Sequence, residues 1–256
     1  MTLESCREMV AEADPDRHAV TRAASDAAQA VLYPIYALNL EIARAAWASD
    51  EPLVCEMRLQ WWADAVAALG QGVAPPHPVL EACGFLRGDL GAAAILGDLV
   101  EARRWDCWAD PFADSNALWR HLEATGGGLM WLAARALGAG PGAEAAVRAF
   151  GSAAALAGWL QAVPALTAHG RHPLPDPSPG AVASLARAGL ARIATARAQR
   201  RAVPRVALPA LLTGAEAAAT LTRAAREPGR LAAGTLPRSE FARRGTLAWR
   251  AITGLW

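Results

Sequence analysis

The stretch VCEMRLQWWADAVAAL, residues Val54 to Leu69, decides the fold class. Its apolar positions Val54, Met57, Trp61, Ala65 and Ala68 recur at spacings of three and four, which lays them along one face of a helix and does not match the alternation of a strand. The same period extends outward. Leu118 to Leu137 and Ala145 to Thr167 exceed strand length and are rich in helix formers, and no segment sustains a two-residue alternation. Residues that stop or start helices fall between these pieces, at Asp14-Pro15, Asp50-Glu51-Pro52, Gly70 to Pro78, Asp110-Pro111, Gly138 to Gly142 and Pro173 to Gly180. The pattern predicts an all-α chain folded as one domain over residues 1–256. The Pro-rich run His172 to Pro179 is short for an interdomain linker and is expected to join two core helices.

Composition agrees with that reading and removes several alternatives. The 256 residues are 54% hydrophobic and 19% charged, too apolar and too weakly charged for disorder. Ala dominates while Tyr and Phe number only 2 and 4, which starves strands and excludes a β sandwich or barrel. Cys6, Cys55, Cys83 and Cys107 are widely spaced with no C-x-x-C pair, so neither a zinc site nor a disulfide framework is expected, and a reduced, cytoplasmic setting is. Met1 to Asp16 carries Glu4, Glu8, Glu12 and Asp14 and does not read as a secretory signal. Ala149 to Ala168 runs twenty residues without a charge, yet it is built from Ala and Gly with Ser152, Gln161 and Pro164, the make-up of a core helix rather than a membrane span.

The net charge of +1 averages two unlike parts. Residues 1–180 hold 12 Arg against 21 acidic residues, and residues 181–256 hold 13 Arg against 3. In the basic segment, Arg187, Arg192, Arg197, Arg200 and Arg201 accompany Leu185, Leu190 and Ile193 at helical spacing. Apolar residues would pack and guanidinium groups would be left over, to meet an anionic membrane surface or the acidic part of the same chain. No nucleic-acid partner is expected.

The familiar chemical patterns are weak. His169 and His172 straddle a glycine beside the Pro-rich loop with no acidic third ligand near in sequence. Asp106, Asp110 and Asp114 would share a helical face only if Pro111 did not interrupt it, so Asp110 or Asp114 is expected to cap the following helix. Gly126-Gly127-Gly128 lacks the preceding strand and following Lys-Ser/Thr of a phosphate loop. Trp61, Trp62, Trp105, Trp108, Trp119, Trp131 and Trp159 are numerous enough to line an apolar cavity, although packing alone accounts for any one of them.

Four segments, taken in order, carry a resemblance over most of the chain. They are Leu32-Tyr33-Pro34-Ile35-Tyr36-Ala37-Leu38-Asn39, Arg58-Leu59-Gln60-Trp61-Trp62, Thr125-Gly126-Gly127-Gly128 and Gly170-Arg171-His172-Pro173-Leu174-Pro175. Together they resemble the squalene/phytoene synthase family, whose all-α members condense two prenyl diphosphates head to head around a central cavity. The resemblance implies an isoprenoid synthase-type helical array, with helices near 29–48 and 145–168 facing each other and with Tyr36, Asn39, Leu40, Thr125, Gln161 and Arg171 as cavity candidates. Such enzymes hold the departing diphosphate through Mg²⁺ clustered on paired aspartates four residues apart. Carried over from Tyr36 and from Gly170-Arg171, the aspartate positions fall at Ala43, Trp47, Ala162 and Leu166, none of which can bind magnesium.

Asn39-Leu40-Glu41-Ile42-Ala43, Arg58-Leu59-Gln60-Trp61-Trp62 and Leu160-Gln161-Ala162-Val163-Pro164 are similar to a divergent branch of that family, which includes the mitochondrial assembly factor for respiratory complex I and lacks the catalytic aspartates. The resemblance then implies a non-catalytic scaffold or binding factor that meets subunits or assembly intermediates of NADH:quinone oxidoreductase at the inner membrane face, with no catalytic residue, cofactor or metal of its own. Two alternatives stay open. One is a prenyltransferase that recruits Mg²⁺ through Asp64, Asp98 or Asp106, Glu41 being turned about 200° from Ala43. The other is an isoprenoid or lipid carrier that uses the emptied cavity without turnover.

Overall fold

Helices begin where the sequence supplies a cap. The computed structural model describes residues 1–73, 75–237 and 239–256. Thr2, Asp14, Ser25 and Asp89 place a side-chain oxygen on a free N–H at the starts of α1 (Leu3–Ala13), α2 (Pro15–Arg22), α3 (Asp26–Ala45) and α6 (Leu90–Arg103). Proline opens α4 (Pro52–Gly70) and α5 (Pro78–Ala82), where its missing N–H costs nothing. Asp114 caps α7 (Ser115–Leu122), accepting from the Ala117 N–H at 2.7 Å, as its place before that helix led one to expect. Then come α8 (Gly128–Ala136), α9 (Glu144–Ala168), α10 (Pro179–Ala198), α11 (Leu208–Leu212), α12 (Ala217–Arg226), α13 (Gly229–Ala232) and α14 (Glu240–Thr253). Among the described residues there is no strand, and the all-α reading holds.

The expected breaks all fall at or between the ends of α-helices; Ala74, inside the break at Gly70 to Pro78, lies outside the described residues. Two expected helices differ in detail. The one near 29–48 is α3, which stops at Ala45, so Trp47 sits in the turn beyond with its N–H on the Arg44 carbonyl. Leu118 to Leu137 is not one regular helix, because Glu123–Gly127 forms a π-helical turn between α7 and α8.

Two compact units emerge. One comprises Met1–Trp108 with Arg135–Leu137, the other Ala109–Ala134 with Gly138–Trp256. In the first, α1 packs on α3 and α4 on α6, around Leu32, Ile35, Leu38, Leu59, Leu69, Leu96 and Leu99. Gly70 permits the close approach of α4 and α6, since a Cβ there would stand 2.5 Å from that of Ala93. Arg135 grips Asp89 with both terminal guanidinium nitrogens, holding its carboxyl below the ordinary range. All four cysteines are buried and free. Burial pushes the thiols of Cys6, Cys83 and Cys107 up, that of Cys107 to about 12, which keeps them protonated and poor nucleophiles.

In the second unit α9 is central, packed by α10, α12 and the π-helical turn. The stretch Pro141–Ala168 is long and apolar enough to cross a membrane by length and composition, with a mean hydropathy of 1.3 over its best window. Its Val147, Phe150, Leu156 and Leu160 are instead fully buried within this unit, as befits a core helix. The loop from His169 to Ser178 joins α9 to α10 and is tied back by the Trp159 indole, which donates to the Pro173 carbonyl at 2.8 Å.

Candidate functional site

The C-terminal part of α3, the N-terminal half of α4 and the loop before α5 enclose a groove of about 350 Å³ in the first unit. Its walls are Glu41, Arg44, Ala45 and Ala48 on one side, Arg58, Trp61 and Trp62 on the other, and His77 at the end. Trp62 is buried and forms the floor, whereas Trp61 and Arg58 remain open to solvent. The two indoles meet edge to face at 4.9 Å, and the His77 ring closes on Trp61 at 5.5 Å and on Trp62 at 4.9 Å. His77 Nδ1 accepts from the Val79 N–H at 3.3 Å, so in the neutral ring the proton is on Nε2.

Arg44 pairs with Glu41 at 3.2 Å, while Arg58 has no carboxylate partner among the described residues. Two guanidinium groups against one carboxylate leave the groove basic. It offers hydrogen-bond donors for an anion beside an aromatic wall for an apolar group. Glu41, Arg44 and Ala45 lie within about 100° of each other round α3, and Ala43 lies about 200° from Glu41. The groove therefore lies on the side of α3 turned away from Ala43. Glu41, Arg58, Trp61 and Trp62 were visible in the sequence as parts of separate segments. His77 was not singled out; its only signal was the helix break in which it stands.

On the next face of α4, Glu56, Gln60 and Asp64 form a polar row bound to Arg104 and Trp108. Arg104 reaches Glu56, Gln60 at 2.8 Å and Glu101 at 2.7 Å; the Trp108 indole donates to Glu56 at 2.9 Å. Asp64 accepts from Gln60 at 2.9 Å. Asp98 is exposed, and Asp106 is buried against Arg103 at 3.0 Å. Among the described residues no group of three or more His, Cys, Asp or Glu is placed to hold a metal ion.

The cavity candidates fall in both units. In the first, Tyr36 is buried beneath the Arg17 guanidinium, 4.9 Å from the ring centroid, and burial pushes its phenol up. Asn39 is buried with its Oδ1 unbonded; Leu40 and Ala43 are half-buried, and Trp47 is exposed. In the second, the Thr125 hydroxyl donates to the His121 carbonyl at 2.7 Å inside the π-helical turn. Gln161 donates to the buried Thr220 hydroxyl at 3.1 Å, joining α9 to α12. Ala162, Leu166 and Arg171 are half-buried, while His169 and His172 are exposed.

The basic segment needs correction. Arg192 is not left over, because it pairs with Glu123 and lies 3.9 Å over the Trp119 ring. Arg197 is partly buried and donates to the Trp256 carbonyl at 2.7 Å. Arg200 and Arg201 are exposed, and Arg187 donates to the Ser184 hydroxyl at 3.0 Å. The partners of Arg192 and Arg197 lie 69 and 59 residues away, beyond the reach of helical spacing.

A family model described as squalene/phytoene synthase matches residues 10–244. Among solved structures, a dehydrosqualene synthase in complex with ligand is 13% identical, with 99% of this chain and 97% of that one covered at a TM-score of 0.78. Squalene synthase HpnC from Alicyclobacillus acidocaldarius is 16% identical, covering 88% of this chain and 93% of that one at a TM-score of 0.69. No curated protein matches the chain in sequence. At these identities the structures carry the fold alone, and it is the isoprenoid synthase fold.

Proposed function

The chain belongs to the squalene/phytoene synthase family, and from that premise we propose that it is a non-catalytic member, a scaffold or binding factor in the assembly of respiratory complex I. The observation that carries the reading is a convergence. The segments Asn39 to Ala43 and Arg58 to Trp62, which resemble the complex I assembly branch, supply Glu41, Arg58, Trp61 and Trp62 to a single groove. In this reading a partner subunit or assembly intermediate docks there, on the side of α3 away from Ala43.

The side chains at the expected aspartate positions support the loss of catalysis. Ala43, Trp47, Ala162 and Leu166 offer no oxygen to Mg²⁺, and a diphosphate held without metal would be desolvated and uncompensated. Nor do the substitute carboxylates gather: Asp106 is committed to Arg103 and Asp64 to Gln60.

Two measurements test this. The purified protein, given farnesyl or geranylgeranyl diphosphate with Mg²⁺, should release no diphosphate. Deletion in the host should lower assembled NADH:quinone oxidoreductase, with rescue by the wild-type chain and not by Arg58→Glu. Mg²⁺-dependent release abolished by Asp64→Asn or Asp106→Asn would establish a prenyltransferase instead, and normal oxidoreductase levels in the deletion strain would end the assembly reading.

A further inference from the structure

Among its described side chains, helix α14 turns its large apolar residues outward. Phe241, Ala248 and Ile252, at i, i+7 and i+11, form an outward stripe flanked by Trp249, whereas Ala242, Thr246 and Arg250 turn inward. The stripe is open to solvent, with Phe241 90%, Ile252 79% and Trp249 65% exposed, and Leu255 continues it past the helix end. A helix on the surface of a folded unit ordinarily turns its apolar face inward; the opposite arrangement marks a surface with a partner.

The helix is nevertheless anchored. Gly254 adopts φ 69° to end it, its N–H on the Arg250 carbonyl at 2.8 Å. The following Trp256 is buried edge to face on Phe150, 4.9 Å between ring centroids, and its carbonyl takes the Arg197 bond. Within this second unit a groove of about 750 Å³ remains between α14 and the end of α10, lined by Arg197, Arg200, Trp249 and Leu255, with no Asp or Glu side chain among the described lining residues. Arg205 stands beside Gly254 and, like Arg200, is exposed.

We propose that the outward face of α14 is a membrane-docking surface that seats Phe241, Trp249, Ile252 and Leu255 in the interfacial layer of an anionic bilayer, with Arg200 and Arg205 on its phosphate groups. Charge complementarity selects the occupant. Aromatic and aliphatic side chains with the exposed Arg200 and Arg205 beside them fit a negatively charged lipid surface. The 14-residue helix is about 21 Å long, too short to span the hydrocarbon core and suited to lying in its surface. The site differs from the groove at Arg58, so the assembly reading and this one stand or fall separately.

Vesicle flotation of the full chain tests it. Binding is expected to phosphatidylcholine vesicles containing 30% phosphatidylglycerol and not to phosphatidylcholine alone, falling at least tenfold between low and high salt. Phe241→Ser with Ile252→Ser should abolish it, and Arg200→Gln with Arg205→Gln should reduce it several-fold. In the unaltered fold, brominated lipid should quench Trp fluorescence more in the wild type than in Trp249→Phe. No flotation on anionic vesicles, binding indifferent to both double variants, or equal quenching with and without Trp249 would overturn the proposal. So would a wild-type dimer that Phe241→Ser with Ile252→Ser converts to monomer, which would make the stripe a contact between copies.

Discussion

Thr125-Gly126-Gly127-Gly128 and Arg58-Leu59-Gln60-Trp61-Trp62 both lie on or beside helices, but the fold uses them in opposite ways. In the first, everything is consumed by packing. A Cβ on Gly126 would stand 2.2 Å from that of Ala155, and one on Gly151 would meet the Gly126 carbonyl at 2.9 Å, so the π-helical turn and α9 touch nearly backbone to backbone. The Thr125 hydroxyl is spent on its own helix. In the second stretch, Leu59 and Trp62 enter the core, while Arg58 and Trp61 stay open beside Arg44 and His77. Glycines that suggest a ligand loop are here a seam between helices. Capacity for recognition remains where charge and aromatic surface are not used by the fold.

The sharpest way to break the contrast is to add a methyl to the seam. Gly126→Ala gains a little helix propensity but drives its Cβ into Ala155 and toward the Gly151 carbonyl at 3.1 Å. A net loss of about 3 kcal/mol is expected, lowering Tm by roughly 6–12 °C in thermal unfolding followed by circular dichroism. Ala155→Gly in the same chain should recover at least half of the loss. An unchanged Tm for Gly126→Ala would show that the seam is loose and that its glycines serve something other than packing.

Asp89 sharpens the comparison from the polar side, because its charge, unlike that of Arg58, is built into the fold. Arg135 and the Ala92 N–H hold the ionised form, so the folded carboxyl titrates below its ordinary 3.8. A depressed folded value contributes stability above the unfolded value and loses it as pH falls through the folded one. Asp89→Asn keeps a competent helix cap and removes the charge. It should cost about 1 kcal/mol near neutral pH, since both side chains remain partly exposed, and the gap to wild type should begin to narrow below about pH 4 and close only once pH has fallen through the folded value. A gap that is constant from neutral to acid pH would mean that the pair contributes through shape rather than charge.

Local signals explain how much could be read beforehand. Pro15, Pro52, Pro78 and Asp114 act on their own helix, and the helix boundaries they set were therefore legible. The burial of α9 followed from its composition. The π-helical turn did not announce itself, because it depends on how closely Gly151 and Ala155 approach from another helix. The same holds for Arg192, whose partners Glu123 and Trp119 belong to an earlier helical segment. At the groove, the Arg58 and Trp61 segment was conspicuous, but His77 comes from a loop and carries no pattern. Nor did periodicity show that the face of α3 bearing Glu41 and Arg44, rather than the face bearing Ala43, borders the groove.

The smallest expected effect on stability is the most informative about the groove. Arg44→Gln with Arg58→Gln removes both cations while leaving a shorter, uncharged side chain that still hydrogen-bonds. Only the exposed Arg44–Glu41 pair is broken, and such pairs are worth well under about 1 kcal/mol. Arg58 has no carboxylate to lose among the described residues, and Trp61, Trp62 and His77 keep their mutual contacts. Stability should therefore stay within about 0.5 kcal/mol of wild type, a shift in Tm of no more than roughly 2 °C. If these arginines recognise a partner, the same variant should fail to restore the oxidoreductase in the deletion strain although it folds and accumulates normally. A drop in Tm as large as that of Gly126→Ala would place the two arginines among the supports of the fold and erase the distinction between groove and seam.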